Sequence, residues 1–231
     1  KAAEREATRG FDAAWAKVVP SGGAELLTRA AALAIAHGET PMQPGGAGVS
    51  LETVRSHGVA SCAHLLAAMR AFVQRAGGTF TIPPGEKVPH DAPPLTPERC
   101  EATVKDLERA RAKVDDDYDG DARRVVDFVR ASGIFETPAD LVSALAHLDE
   151  TPDIDDHAAP RLRVVRAKDK FNHPRDGYRD LLWNVAIVED GDEAHVGELQ
   201  MHIAAIIEKK EAAHVSYGIT RGLDLDAGGG A

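Results

Sequence analysis

The chain lacks the features that mark several common classes of protein. Its only cysteines, Cys62 and Cys100, lie far apart in the sequence and match no metal-binding spacing. We therefore expect both to be small buried thiols in a reducing compartment. No apolar run approaches the length of a membrane span and no signal peptide is visible, so we expect a cytoplasmic protein without a membrane partner.

An excess of positive charge is also missing. The formal net charge is −10 at pH 7, so the surface as a whole will not attract nucleic acid through counterion release. A nucleic-acid partner is therefore not expected, and any anionic substrate must be held by local cations. The segment Arg161–Arg179 supplies such cations densely.

The 231 residues are 43% hydrophobic and 28% charged, which allows one good core or a core domain with a helical appendage. In the first 96 residues, apolar periodicity and breaker residues predict helices over Lys1–Val18, Ala24–Ala36 and from a Ser50 cap to about Arg75. Thr79–Pro97 contains six prolines and is interpreted as a linker or an extended crossing segment. We therefore predict a helical region with a Pro-rich linker over residues 1–96.

The sequence pattern changes at Pro97, and we predict a second domain over residues 97–223. Its predicted helices are Glu98–Val114, 137–148 and a closing helix Ala204–Tyr217, with a helix end running into a strand at Arg123–Phe135. Its predicted strands are Arg161–Lys168, Leu181–Val188 and His195–Ile203. Helices interspersed with strands predict an α+β or α/β domain. Residues 224–231 read as a linker-like tail, and both ends look cut from a longer protein.

The strand His195–Ile203 carries the sharpest chemical signal. Successive side chains on a strand point to opposite faces, so Glu198 and Gln200 share one face with His202. One interpretation is a half-buried strand with a solvated outer face. The apolar neighbour Leu181–Val188 instead suggests a sheet covered on both faces, where a carboxylate needs a metal, a cation or a substrate.

Six cations lie within one short segment, and either of two interpretations fits them. They are solvated or paired with nearby aspartates, or they hold phosphates; the six are Arg163, Arg166, Lys168, Lys170, Arg175 and Arg179. Lys168 and Arg179 are favoured as phosphate ligands because they flank the Pro/Gly loop Asn172–Gly177. Tyr178 follows that loop, where its ring could stack on a purine or fill an edge of the core.

Asp127 lies in the apolar stretch RRVVDFVRAS. It could pair with Arg123 or Arg130. Alternatively, it could join Glu198 as the two carboxylates that hold a Mg²⁺ ion bridging donor phosphates. His214, on the predicted closing helix, is by default a buried histidine with its hydrogen bonds satisfied.

The segments VVDFVRA, TPADLVSALAHL, RAKDKF, HPRDGYRDL, GELQMH and AAHVSY follow one another in that order. Over about Lys105–Tyr217 this series resembles the synthetase domain of the RelA/SpoT family, the alarmone synthetases. The resemblance implies an α+β fold with a mixed β-sheet flanked by helices, like other nucleotidyltransferases. It also implies Mg²⁺-dependent transfer of a pyrophosphoryl or nucleotidyl group from ATP to a nucleotide hydroxyl.

The resemblance assigns roles by matched position. Asp127 and Glu198 match the acidic residues associated with Mg²⁺ and catalysis, with Glu198 as base for the acceptor hydroxyl. Lys168 matches a phosphate-binding lysine, and Tyr178 matches the tyrosine that stacks on the acceptor guanine. Further matched positions are Gln200 and His214, and candidates for donor ATP contacts are Arg109 and Lys113.

The chain departs from the family pattern at substrate-facing positions. Leu182 stands where the family has a histidine, His202 and Ser132 stand where it has arginines, and Val215 replaces a tryptophan. We therefore expect weak or altered acceptor preference rather than efficient use of GDP. Nothing resembles the hydrolase domain of the family, so no alarmone breakdown is expected.

The sequence is consistent with three alternative functions. The first is the transferase, with ATP and a nucleotide acceptor as ligands. The second is a catalytically inactive module of a larger assembly that docks other domains or subunits. The third is the same chemistry on the 3′ end of an RNA, which the acidic net charge disfavours.

Overall fold

The computed structural model describes residues 2–38, 40–149, 161–189 and 192–209. The helices are α1 (Ala2–Val18), α2 (Gly23–Ala36), α3 (Leu51–Arg75), α4 (Pro97–Thr103), α5 (Leu107–Asp117) and α6 (Pro138–Asp149). The strands are β1 (Thr79–Ile82), β2 (Glu86–Lys87), β3 (Arg130–Phe135), β4 (Arg161–Asp169), β5 (Leu181–Glu189) and β6 (Asp192–Ile203). A short 3₁₀ turn, Ala122–Arg124, precedes β3, and residues 204–209 begin a helix after β6.

The six strands form one sheet in the order β2-β1-β3-β6-β5-β4. The pair β3 and β6 is parallel, and every other neighbouring pair is antiparallel. The fold is therefore α+β with a mixed sheet and flanking helices, as predicted. Among the described helices, none is long and apolar enough to cross a membrane.

One face of the sheet is apolar and packs against α3. On β6 the alternate residues Leu199, Met201 and Ile203 are fully buried. Gly197 precedes them, and a Cβ there would stand 2.5 Å from Leu65 of α3 and 2.9 Å from the Val129 carbonyl oxygen. Glycine at this position therefore lets α3 lie directly against the centre of the sheet.

The predicted helix Glu98–Val114 is wrong, because the chain forms two helices there. Thr96 caps α4, with Pro97 in its first turn, and Val104 is extended. The Lys105 amide then donates to the Phe128 carbonyl oxygen over 2.9 Å, and the Asp106 side chain caps α5. This backbone bond to a distant segment, together with a fresh N-cap, ends the first helix.

The linker interpretation of Thr79–Pro97 is also wrong. Its first residues form β1, which pairs antiparallel with β3, and β2 folds back on β1. A single hydrophobic cluster contains Leu26, Leu65 and Leu141. Residues from both sides of the predicted boundary at 96/97 therefore share one core, and the boundary does not separate two cores.

Most of the remaining predicted helices and strands agree with the structure. The first three helices, the helix near 137–148 and the three strands are confirmed, with ends shifted by a few residues. The helix end expected before β3 is the 3₁₀ turn instead. Both cysteines are buried as expected, and burial, together with contact from Cys100, raises the pKa of Cys62. The closing helix is described only over 204–209, so His214, Val215, Tyr217 and the tail 224–231 lie outside the described residues.

Candidate functional site

The other face of the sheet carries a row of polar side chains across four adjacent strands. Arg130 of β3 lies opposite Glu198 of β6, Glu198 opposite Asn184 of β5, and Asn184 opposite Arg166 of β4. Directly opposed residues point to the same face, so the four side chains are neighbours. The next row on that face contains Ser132, Gln200, Leu182 and Lys168. We call the seven polar residues of these rows the polar face.

Asp127 lies just before β3, beside this face. It is 8% exposed, and its Oδ2 atom accepts from Lys105 Nζ at 2.8 Å and from Lys113 Nζ at 3.2 Å. Burial raises the pKa of Asp127, but the two ammonium groups outweigh burial and lower it below the ordinary value. Asp127 is therefore an anion held by cations, and neither Arg123 nor Arg130 is the partner found. Its Oδ1 atom is buried and has no hydrogen-bond partner within the described residues.

The pKa of Glu198 is shifted in the opposite direction to that of Asp127. Burial raises its pKa, a 2.6 Å hydrogen bond from Gln200 Nε2 lowers it in part, and the negative charge of Asp127 raises it further. The Glu198 amide donates to the Val129 carbonyl oxygen over 2.9 Å, which fixes Glu198 next to the segment that carries Asp127. The structure thus ties the backbone at Glu198 to the segment that carries Asp127, and the pKa values of the two carboxyl groups are shifted in opposite directions.

Gln43 holds the backbone around both carboxylates. Its Nε2 donates to the carbonyl oxygens of Val125 at 3.0 Å and Val196 at 2.8 Å, and its Oε1 accepts from the Val196 amide at 2.8 Å. The Gln43 amide also donates to the Arg123 carbonyl oxygen at 2.8 Å. Val125 and Val196 each precede a carboxylate by two residues, so this amide sets the spacing of the segments that carry Asp127 and Glu198. Sequence analysis missed Gln43 because a glutamine in a Pro/Gly loop gives no signal.

The other predicted cations occupy different positions. Lys168 is exposed on the polar face and forms no ion pair with any described residue. Lys113 reaches Asp127, whereas Arg109, one turn earlier on α5, is exposed. Arg179 lies against α1: its Nη1 donates to the Phe171 carbonyl oxygen at 2.7 Å, and its guanidinium stacks 5.4 Å from the Trp15 ring.

Tyr178 is packed by the protein itself. Its hydroxyl lies 3.0 Å from His202 Nδ1, and its ring makes an edge contact with Phe11 of α1, with the centroids 5.5 Å apart. Lys170 Nζ lies 5.9 Å from the ring centroid. Burial and the Asp180 carboxylate raise the pKa of the Tyr178 hydroxyl. These contacts fit the alternative in which Tyr178 fills an edge of the core.

Tyr118 is an aromatic residue that sequence analysis did not single out. It follows α5, and its ring lies 5.4 Å from Lys113 Nζ and 4.8 Å from the Arg124 guanidinium. Burial lowers the pKa of Arg166, and the nearby Tyr118 and Glu198 offset only part of this shift. Tyr118 therefore lies near Arg166 of the polar face as well as near Lys113.

The donor set of this site suits Mg²⁺ shared with a substrate. Within the described ranges there is no cluster of three or more His, Cys, Asp or Glu side chains that could hold a metal by themselves. Mg²⁺ commonly takes one or two carboxylates and completes its shell with water and phosphate oxygens. Asp127, whose Oδ1 atom has no hydrogen-bond partner within the described residues, fits that role, whereas the raised pKa of Glu198 suits proton transfer better than metal binding.

Comparison with known proteins adds little to this geometry. No family model matches the chain, and no curated protein matches it. One similar solved structure is the complex between the Type VI effector Tas1 and its immunity protein, with 22% sequence identity and a TM-score of 0.43. The likeness covers 68% of this chain and 63% of that one. The fold assignment rests on the strand order of the sheet.

Proposed function

We propose that this chain transfers a pyrophosphoryl or nucleotidyl group from ATP to a nucleotide hydroxyl in a Mg²⁺-dependent reaction. The observation that carries the proposal is the hydrogen bond from the Glu198 amide of β6 to Val129, which ties Glu198 to the segment that carries Asp127. One carboxylate is kept ionised by lysines, and the other has a raised pKa. Two adjacent carboxylates with pKa values shifted apart are typical of a site that divides charge stabilisation from proton transfer.

Glu198 would act as the general base. In pyrophosphoryl transfer the acceptor hydroxyl oxygen attacks the β-phosphorus of ATP, the bond from that phosphorus to the α–β bridging oxygen breaks, and AMP leaves. The hydroxyl proton passes to Glu198, whose raised pKa favours accepting it. Asp127 would hold the Mg²⁺ ion, which would neutralise phosphate charge, and Glu198 would stay free to accept the proton.

The cations would bind the phosphates. Lys168 is exposed on the same face as Glu198, so its ammonium group can meet a phosphate without breaking an ion pair to any described residue. Arg166 and Arg130 stand at the two ends of the row through Glu198. Leu182 lies on this face beside Gln200, where the family pattern has a histidine. We therefore propose an acceptor other than GDP, or weak use of GDP.

The packing of α1 favours a second candidate function, an inactive module of a larger assembly. Tyr178 packs against the Phe11 ring and is hydrogen-bonded to His202. Arg179 donates to the Phe171 carbonyl oxygen and stacks on the Trp15 ring. Two residues expected to meet the substrates, Tyr178 at the acceptor guanine and Arg179 at a phosphate, thus already contact other parts of the protein.

One experiment separates the two functions. Purified protein is incubated with ATP and Mg²⁺ and a panel of GDP, GTP, AMP, ADP and tRNA, and AMP release is measured by chromatography. We expect AMP release with at least one acceptor, and its loss in Glu198→Gln with an unchanged melting temperature. Glu208→Gln, the same change at an exposed position in the helix after β6, is the control and should remain active. AMP release that survives Glu198→Gln would remove Glu198 from the reaction, and no release with any acceptor would favour the inactive module.

A further inference from the structure

Asn184 lies at the centre of the polar face, on a strand that is otherwise apolar. It is opposite Glu198 on one side and Arg166 on the other. Its neighbours on the same face of β5 are Leu182 and Ala186, which offer no hydrogen-bonding side chain. Any partner for its amide must therefore come from the adjacent strands or from above the sheet.

The Asn184 amide has no such partner in the described part of the protein. The residue is 1% exposed, and neither Nδ2 nor Oδ1 has a hydrogen-bond partner there. A buried primary amide without hydrogen bonds destabilises the folded protein, and native proteins retain few of them. Leucine or valine would suit an apolar strand better, so the unpaired amide of Asn184 makes it a candidate for contact with a ligand.

The neighbouring groups indicate what the amide meets. The Nε atoms of Arg130 and Arg166 are also buried and have no partner within the described residues, so donors for an anion stand at both ends of the row. Glu198, directly beside Asn184, is the proposed base for a hydroxyl. An amide presents one donor and one acceptor side by side, and a sugar hydroxyl both donates and accepts.

We propose that Asn184 binds a ribose hydroxyl of the acceptor nucleotide and thereby sets a preference for ribonucleotides over deoxyribonucleotides. The inference rests on the proposed function for the class of ligand. Asn184 takes no part in proton transfer. It holds the sugar beside Glu198 while Arg130 and Arg166 hold the phosphates.

The test compares two asparagine-to-leucine substitutions. Asn184→Leu removes an unpaired amide, so we expect its melting temperature without ligand to equal or exceed that of the wild type. Asn172→Leu is the matched control, because the Asn172 side chain donates to the Leu27 carbonyl oxygen at 2.8 Å and to Asp169. The control should lower the melting temperature. A comparable fall in Asn184→Leu would show that the amide is structural and would overturn the inference.

Binding is measured separately by calorimetry, without ATP or Mg²⁺, so that no turnover is needed. The ligands are ADP, GDP and their 2′-deoxy and 3′-deoxy forms. We expect the wild type to bind one ribonucleotide at least about tenfold more tightly than one of its deoxy forms, and Asn184→Leu to lose that difference. Asn184→Ala, which adds no volume, should lose that difference as well.

The outcomes separate this inference from the proposed function. Equal discrimination in wild type and both variants would overturn the role of Asn184 and leave the transferase proposal intact. Absence of nucleotide binding by the wild type would overturn both. Loss of discrimination in the variants of a protein that binds nucleotides but releases no AMP would support the inference and contradict the transferase.

Discussion

Replacing Gln43 by methionine tests how the two carboxylates are held. Methionine is also unbranched and of similar length, so the change removes polar atoms while adding little strain. The side chain loses its bonds to Val125 and to both backbone groups of Val196. Gln43 is 3% exposed, so these partners lie in a buried environment.

The expected loss of stability follows from those three bonds. Each buried backbone group left unpaired costs at least about 1 kcal/mol, so the three together cost about 3 kcal/mol or more. For a chain of this size, 1 kcal/mol shifts the melting temperature by roughly 2–4 °C, so the loss corresponds to roughly 6–12 °C. The Asp127 segment is then tied less firmly to β6, and AMP release should fall by more than the fraction unfolded accounts for.

The assay is thermal unfolding followed by circular dichroism, with AMP release measured on the folded fraction. Gln74→Met is the matched control, because Gln74 makes one partly buried side-chain bond, to the Val88 carbonyl oxygen at 2.9 Å. It should shift the melting temperature by less than about 4 °C. A cavity of about 270 Å³, lined by Gln43, His57 and His195, adjoins these groups. A shift in Gln43→Met no larger than in the control would show that water from this cavity replaces the amide, which would refute the reasoning.

Two further perturbations concern charge. Lys105→Met removes a 2.8 Å ion pair from buried Asp127. We expect the free energy of unfolding, measured in urea, to fall by about 2 kcal/mol, and the Asp127 pKa, measured by NMR titration, to rise. An unchanged pKa would contradict the pairing. Burial, with the nearby His57, lowers the pKa of His195 from 6.5 to about 3, so the unfolded chain binds a proton in that range that the folded protein does not. Stability should therefore fall as the pH drops from 6.5 towards 3, by up to about 1.4 kcal/mol per unit, and His195→Gln should flatten the profile. Identical profiles for the two proteins would place the pH dependence elsewhere.

The local alternation of apolar and polar residues was sufficient to predict much of the sheet. The alternation through Glu198 and Gln200 predicted both the strand β6 and the face on which its polar residues lie. The apolar run Leu181–Val188 predicted a strand covered on both faces, and Leu182, Asn184 and Ala186 are indeed buried. Such signals depend on period alone, which is readable without tertiary information.

The errors arose where distant contacts decide the structure. The four residues of β1 lie next to a proline-rich stretch, and pairing with β2 and with the distant β3 makes them a strand. The break between α4 and α5 depends on the bond from Lys105 to Phe128. Gln43 and Asn184 were overlooked for the same reason. The role of an amide side chain depends on its hydrogen-bond partners in the folded protein: Gln43 has several, and Asn184 has none within the described residues.

The position of β6 has a consequence for biosynthesis. Of the six strands it is the last along the chain, yet it lies between β3 and β5. When the ribosome has made β1 to β3, the inner edge of β3 has no neighbour, and pairing with β6 must wait for about 60 further residues, since contacts between distant segments form late. We expect the nascent chain to expose an unpaired strand edge and the apolar surface of α3 during this interval, until β6 can pair with β3.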